Sequence, residues 1–275
     1  STTPNSGRLS RKNYTEPLKP ENCIQKIATG SHTYQDPPGV EQKTNRPLPL
    51  MEEQHFDNFL VNKKNEMVLE AARQAVGGGV PCTPFVLYGK SCTGKSHLLN
   101  AIAHALKQRG RSFLFGSIGL SNPQEILPPD FSRIDQEAVF IDDAQRLADY
   151  PQEQDVLASM IDHFRATKKL LVISMDMHPS HCPGLNHKLV SRLHSGLVLA
   201  LKQPDLDIRT QYVEQQNRRR KPELGKDKIL SLAQRHTDIR LIDGFLTQLS
   251  FYRSMQQKRS PGEHASLFHA PAEML

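Results

Sequence analysis

The chain has 275 residues, 37% of them hydrophobic and 23% charged, which allows a buried core in one domain or in a domain plus a small satellite. Its four cysteines, Cys23, Cys82, Cys92 and Cys182, stand far apart without a C-x-x-C pair, which argues against a disulfide framework or a zinc site. The net charge of +6 is compatible with nucleic-acid contact and equally with an ordinary solvated surface. Because no apolar run reaches the ~20 residues of a membrane span, we expect a cytoplasmic protein without membrane contact.

Residues 1–54 are predicted to form a disordered tail. They are rich in Pro, Ser, Thr, Asn and Lys and have few clustered hydrophobic residues, so they cannot bury enough apolar area to offset the entropy of ordering. Near its end, the proline-spaced segment RPLPLM, which begins at Arg46, either packs against the following domain or serves as a linear peptide motif.

A nucleotide-binding core is predicted over residues 55–203. It begins with the aromatic pair Phe56 and Phe59 and an alanine-rich helix over about 65–76, which the glycines at 77–79 end. A short apolar run from Phe85 then predicts a strand, and apolar residues at helical spacing from Leu98 predict the helix that follows.

The segment GKSCTGKS lies between that strand and that helix and matches the complete G-x-x-x-x-G-K-[ST] pattern of a phosphate-binding loop. Glycine at both ends lets the backbone turn tightly, so that successive N–H groups and the helix N-terminus face an anion. We expect Lys95 to reach the terminal phosphates and Ser96 to ligate Mg²⁺. The residues assigned to nucleotide binding here are Gly89, Lys90, Ser91, Cys92, Thr93, Gly94, Lys95, Ser96 and His97.

A second motif, AVFIDDAQRL at 138–147, carries two adjacent carboxylates. Four apolar residues run into Asp142 and Asp143, as expected of a buried parallel strand that ends at the carboxyl edge of a sheet. The sequence therefore predicts that Asp142 holds the metal through water and that Asp143 orients the attacking water.

The remaining core strands alternate with helical or loop segments, which predicts an α/β fold with a parallel, helix-covered sheet. Candidate strands lie at 112–115, 138–141, 170–174 and 197–201. Beyond Pro204 the strands cease, and helical stretches at about 207–219, 226–236 and 238–256 predict a small helical lid over 204–256. Residues 257–275 are expected to form a flexible tail.

These motifs together resemble the DnaA-type AAA+ ATPases, a family that includes Hda-like regulators. The segment FDNF at 56–59, continued by AARQ at 71–74, resembles the family's first box near the adenine, and YGKSCTGKSHLLNAI and FIDDAQ resemble its phosphate loop and Walker B motif. The resemblance covers roughly residues 55–255. It implies an AAA+ P-loop NTPase with a five-stranded parallel αβα sheet and a helical lid, which binds ATP or ADP with Mg²⁺ and holds the adenine near Phe59, Leu60 and Val61.

The resemblance assigns roles to three further residues. Asp176 in LLVISMDMHP matches the polar sensor 1 position, and Arg240 in TDIRLIDGFLTQL matches the sensor 2 arginine of the lid. Arg192 in GLNHKLVSRLHSGL matches the arginine finger, which projects toward the γ-phosphate of a neighbouring protomer. Together with Asp143, these residues are the expected catalytic groups of a weak ATPase that depends on the arginine finger of a partner.

Two features depart from the pattern of the family's initiators. The chain ends about twenty residues after the last predicted lid helix, so the helix-turn-helix domain that reads duplex DNA in initiators is expected to be absent. The segment 116–137 is short, contains three prolines and offers Arg133 as its one cation, which argues against the single-strand-binding insertion of initiators.

The leading functional hypothesis is a DnaA/Hda-like regulator of bacterial DNA replication initiation. It would act by nucleotide-dependent AAA+ to AAA+ contact with a DnaA-type initiator or with another copy of itself. Family regulators of this kind also hold the sliding clamp through a short motif, for which the candidates are RPLPL, from Arg46 to Leu50, and HASLF, from His264 to Phe268.

Two alternatives remain open at this point. The first is a helicase loader or minimal initiator on single-stranded DNA, with the basic run at 218–221 as its cation cluster. The second is an adaptor that binds nucleotide with negligible turnover, although the intact phosphate loop and paired aspartates argue against a catalytically inactive site.

Overall fold

The computed structural model describes residues 48–78, 83–220 and 223–257. The predicted tails therefore fall largely outside the described residues, and so does the clamp-motif candidate that begins at His264. No helix in the described ranges is long and apolar enough to cross a membrane.

Five parallel strands form a single sheet. They are β1 (Phe85–Tyr88), β2 (Phe113–Ser117), β3 (Ala138–Asp142), β4 (Leu170–Met175) and β5 (Leu197–Ala200). The strand order is β2-β3-β4-β1-β5, so that β1, which leads into the phosphate loop, lies between β4 and β5. The predicted α/β fold with a five-stranded parallel sheet is confirmed, with strand ends that differ from the predicted ones by up to two residues.

The helices of the core are α1 (Glu66–Gly77), α2 (Lys95–Gln108), α3 (Pro123–Ile126), α4 (Pro151–Ala166) and α5 (His187–Leu193). Because successive side chains of a strand point to opposite faces, neighbouring residues of β1 enter different cores. Phe85 and Leu87 pack with α1 and α2, whereas Val86 packs with α4 and α5. Helices thus cover both faces of the sheet and leave its carboxyl edge to carry polar side chains.

Three helices follow the sheet: α6 (Leu206–Arg220), α7 (Lys226–Arg235) and α8 (Ile239–Gln257). They pack around an apolar core of their own, whose centre includes Val213, Ala233, Ile242 and Leu246, each with its side chain fully buried. We refer to α6, α7 and α8 together as the lid.

Residues 48–54, which the sequence places at the end of the tail, contact the core. Leu48 donates a backbone hydrogen bond to the Phe115 carbonyl at 3.1 Å, and the side chains of Leu48 and Leu50 pack beside α2. The backbone N–H of Met51 donates to Asn100 Oδ1 at 3.0 Å. Of the two alternatives for RPLPLM, its described part therefore packs against the domain, because spaced leucines give it apolar area to bury.

Candidate nucleotide-binding site

The phosphate loop joins the end of β1 at Tyr88 to the start of α2 at Lys95, so it lies at the carboxyl edge of the sheet and at a helix N-terminus. Gly94 has a φ of +98°, which strongly favours glycine. A Cβ at Gly89 would lie 2.3 Å from the carbonyl oxygen of Leu201, which leaves no room for a side chain. Both glycines of the motif are therefore required by the backbone itself.

Lys95 is folded back over this loop. Its side-chain ammonium donates to the carbonyl oxygens of Gly89 at 2.7 Å and Lys90 at 3.1 Å, and the residue is only 9% exposed. Carbonyl groups of the loop thus hold the ammonium in the place where it can exchange them for phosphate oxygens.

The electrostatic surroundings of Lys95 come from two strand ends. Burial lowers the pKa of its ammonium, whereas the nearby carboxylates of Asp142, Asp143 and Asp176 act in the opposite direction. The three predicted acidic residues are therefore gathered around the predicted phosphate-binding lysine.

Two residues that the sequence analysis did not select fix the positions of these carboxylates. The hydroxyl of Ser174, on β4, donates to Asp142 Oδ1 and accepts from the backbone N–H of Asp143 at 3.1 Å. The side-chain amide of Gln145 donates to Asp143 Oδ1 at 3.0 Å and accepts from the backbone N–H of Asp176 at 3.2 Å. Ser174 and Gln145 therefore connect the ends of β3 and β4 into one polar network.

The donor set of this edge suits Mg²⁺. Asp176 Oδ1 is buried and has no hydrogen-bond partner among the described residues, so it is available to a water or a ligand group. Within those residues, no cluster of three or more His, Cys, Asp or Glu side chains could hold a metal. Mg²⁺ does not require such a cluster, because it is usually bound by one or two carboxylates together with substrate phosphates and water. Ser96 and Asp142 are the residues that would hold it.

The lid reaches the loop through the start of α8. Arg240 Nη2 donates to Ser91 Oγ at 2.7 Å. Asp238 lies beside Cys92, where burial, reinforced by that carboxylate, raises the pKa of the thiol. The structure thus brings Arg240 to the predicted phosphate site.

A cavity of about 650 Å³ lies between the loop, the segment 51–60 and the lid. From the core it is lined by Phe59, Leu60, Gly94 and His97, and from the lid by Ile208, Tyr212, Gln216 and Arg219, among others. Its size is that of a typical small-molecule site. Of the three residues predicted near the adenine, Phe59 and Leu60 line the cavity, whereas Val61 does not and is a partly buried residue packed against the apolar core.

Arg192 lies outside this arrangement. It is on α5, where its Nε donates to Asp162 Oδ2 of α4 at 2.8 Å, and both side chains are more than two-fifths exposed. Among the described residues it makes no hydrogen bond to the phosphate loop. Arg192 is therefore presented on the surface and is not part of the chain's own phosphate site.

Residues 50–115 and 130–200 match the family model described as the bacterial DnaA ATPase domain. The chain is 31% identical over 219 residues to the chromosomal replication initiator protein DnaA of Ruegeria sp. (strain TM1040), an alignment that covers 73% of this chain and 46% of the relative. The chain spans about half the length of the curated relatives it matches.

Two solved structures share the fold. Domain III of the Thermotoga maritima replication initiation protein DnaA has a TM-score of 0.67 at 23% identity, and the match covers 77% of this chain and 93% of that one. Replication initiator DnaA bound to AMPPCP and single-stranded DNA has a TM-score of 0.63 at 21% identity, with 76% and 70% covered.

Proposed function

Because the chain belongs to the bacterial DnaA ATPase family of AAA+ P-loop NTPases, we propose that it is a nucleotide-switched regulator of DNA replication initiation that acts by contact with another AAA+ protein. The observation that carries this proposal is the exposed position of Arg192, which is held by Asp162 on the outside of the core. An arginine that stabilises phosphoryl transfer in a neighbouring protomer has to be offered on the surface in this way.

The nucleotide is ATP or ADP in this proposal. The loop N–H groups and Lys95 bind the phosphates, and the cavity between core and lid receives the nucleoside. Ser96 and Asp142 hold Mg²⁺, which supplies charge neutralisation at the phosphate oxygens. The relative described as bound to AMPPCP, a nucleotide analogue, supports this assignment.

Hydrolysis requires groups from two proteins. Asp143, held by Gln145, orients the attacking water. Arg240 is carried by the lid and contacts the phosphates when the lid lies on the loop. Asp176 stands beside them at the end of β4. Since Arg192 makes no described contact with its own site, we expect the isolated chain to turn over slowly and to gain rate only in an assembly.

The partner in this proposal is a DnaA-type initiator or a second copy of this chain. A clamp contact through Leu48 and Leu50 is disfavoured, because both side chains pack against the core. The segment from His264 to Phe268, outside the described residues, remains the candidate for such a contact.

Contact with single-stranded DNA is a second candidate, supported by the relative that is described as bound to it. Three of the described arginines weaken this candidate, since each already pairs with a carboxylate, whereas binding to a phosphate backbone depends on positive charge. Arg219 contacts Glu53, Arg220 pairs with Asp243 at 2.7 Å, and Arg133 pairs with Asp130 at 2.6 Å. We therefore rank the regulatory function first.

The deciding experiment measures ATP hydrolysis by the DnaA-type initiator of the same host with and without this chain. We expect the chain to stimulate hydrolysis, Arg192→Ala to lose the stimulation, and the matched control Arg165→Ala, an exposed arginine of α4, to keep it. Full stimulation by Arg192→Ala would overturn the mechanism. A pull-down from the host with ADP and with ATP identifies the partner: an initiator supports regulation, and a helicase supports loading instead.

A further inference from the structure

A second cavity, of about 440 Å³, is formed within the lid alone, in the groove between α7 and α8. Every residue that lines it belongs to these two helices, to the segment just before α7 or to the turn that joins them. We call it the lid groove. Its main lining residues are Lys228, Leu232 and Arg235 of α7 and Leu241, Gly244 and Phe245 of α8. Since they are spaced by three and four along each helix, one face of each helix forms one wall.

The floor of the lid groove is apolar. Leu232 is buried, Phe245 is partly buried, and Leu241 is 60% exposed. Two further large apolar side chains, Phe251 and Met255, are exposed farther along α8. At 3.6 residues per turn they lie about 80° and 40° from Leu241 around the helix axis, so all three share one side of α8. Exposed apolar side chains grouped in this way mark a surface that another molecule covers.

Gly244 keeps the α8 wall of the groove open. A Cβ built on this residue would meet no heavy atom within 4 Å. Glycine inside a helix is less favourable than alanine, and the packing of the lid does not require it at this position. Its lack of a side chain instead allows another chain to approach the backbone of α8 closely. A larger side chain here would fill the groove without disturbing the fold.

The rim of the lid groove is positively charged. Lys228 and Arg235 are seven residues apart on α7, which separates them by two turns, or about 10 Å along the helix. Neither forms an ion pair with another described residue. Arg240 adds a third cation, although it also contacts Ser91 and Asp238. No described aspartate or glutamate lines the groove, so its positive charge suits an acidic partner.

The helical walls determine which form of peptide can bind. Most backbone groups of α7 and α8 are used in their own helical hydrogen bonds, so an extended peptide finds no sheet edge to join. A bound helix has its own backbone groups already paired. It can also present apolar side chains to a groove at positions spaced by three and four. The distance between Lys228 and Arg235 matches two turns of such a helix.

We propose that the lid groove is a docking site for an acidic amphipathic helix of a partner protein. The apolar face of that helix packs against Leu241 and Phe245 and fills the space beside Gly244. Carboxylates seven residues apart on its flank pair with Lys228 and Arg235. A nucleic acid fits this groove less well, because the apolar floor offers nothing to a phosphate backbone. The proposal concerns a surface of the lid and does not depend on the nucleotide site.

The test uses a fluorescently labelled amphipathic helical peptide of about four turns, with leucine on one face and glutamates seven residues apart beside it. A comparison peptide carries lysine in place of glutamate. Binding to the full chain is measured by fluorescence anisotropy without nucleotide. We expect the glutamate peptide to bind about 10-fold or more tightly than the lysine peptide, and added salt to reduce the difference. Equal binding of both peptides, or binding of neither, overturns the proposal.

Substitutions in the lid locate the binding site. Gly244→Leu should weaken binding of the glutamate peptide by about 10-fold or more without lowering the unfolding temperature, because it fills the groove and favours the helix. Leu241→Ala should weaken binding too, and Lys228→Glu should remove most of the preference for glutamate. Leu230→Ala and Lys226→Glu, at exposed residues of α7 outside the groove, are the matched controls and should stay within about 2-fold of the unaltered chain. Equal effects of the groove variants and their controls overturn the proposal.

Two other occupants are distinguished by the same variants. If single-stranded oligodeoxythymidylate displaces the peptide and itself loses affinity in Gly244→Leu, the groove is a nucleic-acid site and the proposal is wrong. If sedimentation velocity shows self-association that Gly244→Leu abolishes, the groove receives a second copy of this chain, which also overturns it. None of these measurements involves ATP, so failure of this proposal is distinguishable from failure of the proposed function.

Discussion

Arg240 donates to Ser91 at 2.7 Å, which places a lid side chain directly on the phosphate loop. The two residues are 149 positions apart in the chain. Because α8 carries Arg240 and belongs to the lid's own apolar core, a movement of the lid changes the charge that faces the phosphates. The contact therefore links the conformation of the lid to the chemistry of the loop.

Replacement of Lys95 by alanine should abolish or severely weaken adenine-nucleotide binding. The variant loses the ammonium that two loop carbonyls hold and three nearby carboxylates favour, and with it a charge-assisted contact to the β- and γ-phosphates. Calorimetric titration measures the effect, and Lys107→Ala, an exposed lysine of the same helix, is the matched control. Equal affinities for the Lys95 variant and the unaltered chain would contradict the site.

Asp143→Asn should leave Mg²⁺-nucleotide binding nearly intact and lower hydrolysis by roughly 10²- to 10⁴-fold, the usual effect of losing a positioned base. The amide oxygen of the new side chain can still accept from Gln145, so the network is retained. Turnover is measured in the presence of the stimulating partner. If binding falls and turnover does not, the roles given to Asp142 and Asp143 are reversed.

Arg192→Ala should keep nucleotide affinity and stability, since an exposed ion pair such as Arg192–Asp162 contributes about 1 kcal/mol or less. If the chain self-associates, a mixture of Arg192→Ala and Lys95→Ala should hydrolyse ATP faster than either variant alone. The Arg192→Ala protomer supplies an intact nucleotide site, and the Lys95→Ala protomer supplies the arginine finger. Steady-state phosphate release from the mixture and from the separate variants measures this. Activity of Arg192→Ala alone equal to that of the unaltered chain excludes action on a neighbouring copy.

Gln154→Leu should lower the free energy of unfolding by at least about 2 kcal/mol, because buried backbone groups lose their partner. The Gln154 amide donates to the carbonyls of Leu147 at 2.8 Å and Gly184 at 2.9 Å, and it accepts from the backbone N–H of Asn186 at 2.7 Å. Urea unfolding gives the value. The control Gln152→Leu, an exposed neighbour on α4, should remain within about 0.5 kcal/mol of the unaltered chain.

Acidification should destabilise the chain through His97. Burial lowers the pKa of this imidazole, and its backbone hydrogen bond to the His55 carbonyl at 3.1 Å opposes the shift only in part. As the pH falls below about 6.5, the unfolded chain binds the proton first, so stability is lost by up to ~1.4 kcal/mol per pH unit until the folded pKa is reached. Urea unfolding at pH 7.5 and 5.5 should show a smaller loss for His97→Gln than for the exposed control His187→Gln.

The sequence predicted the loop and Asp142 because each belongs to a contiguous motif whose spacing the chemistry imposes. Ser174 carries a weaker signal, since it is a polar residue inside the apolar run of β4. Gln216 carries none, because α6 is largely polar and only the packing of the lid turns this glutamine into the cavity. Val61 shows the opposite limit: it directly follows Leu60 in the sequence, yet it packs against the apolar core without lining the cavity.

Among the described residues, polar contacts that join the lid and the segment just before it to the core include those of Arg219 with Glu53, Arg240 with Ser91, and the side-chain amide of Asn62 with Asp205. Such contacts are individually weak, and the charged ones are screened by salt. If a nucleotide binds between core and lid as proposed, separation of these contacts should open the way for it to leave. The residence time of bound nucleotide should therefore shorten as ionic strength rises. Exchange of the spent nucleotide would then depend on the ionic conditions of the cell, and so would the duration of each regulatory state.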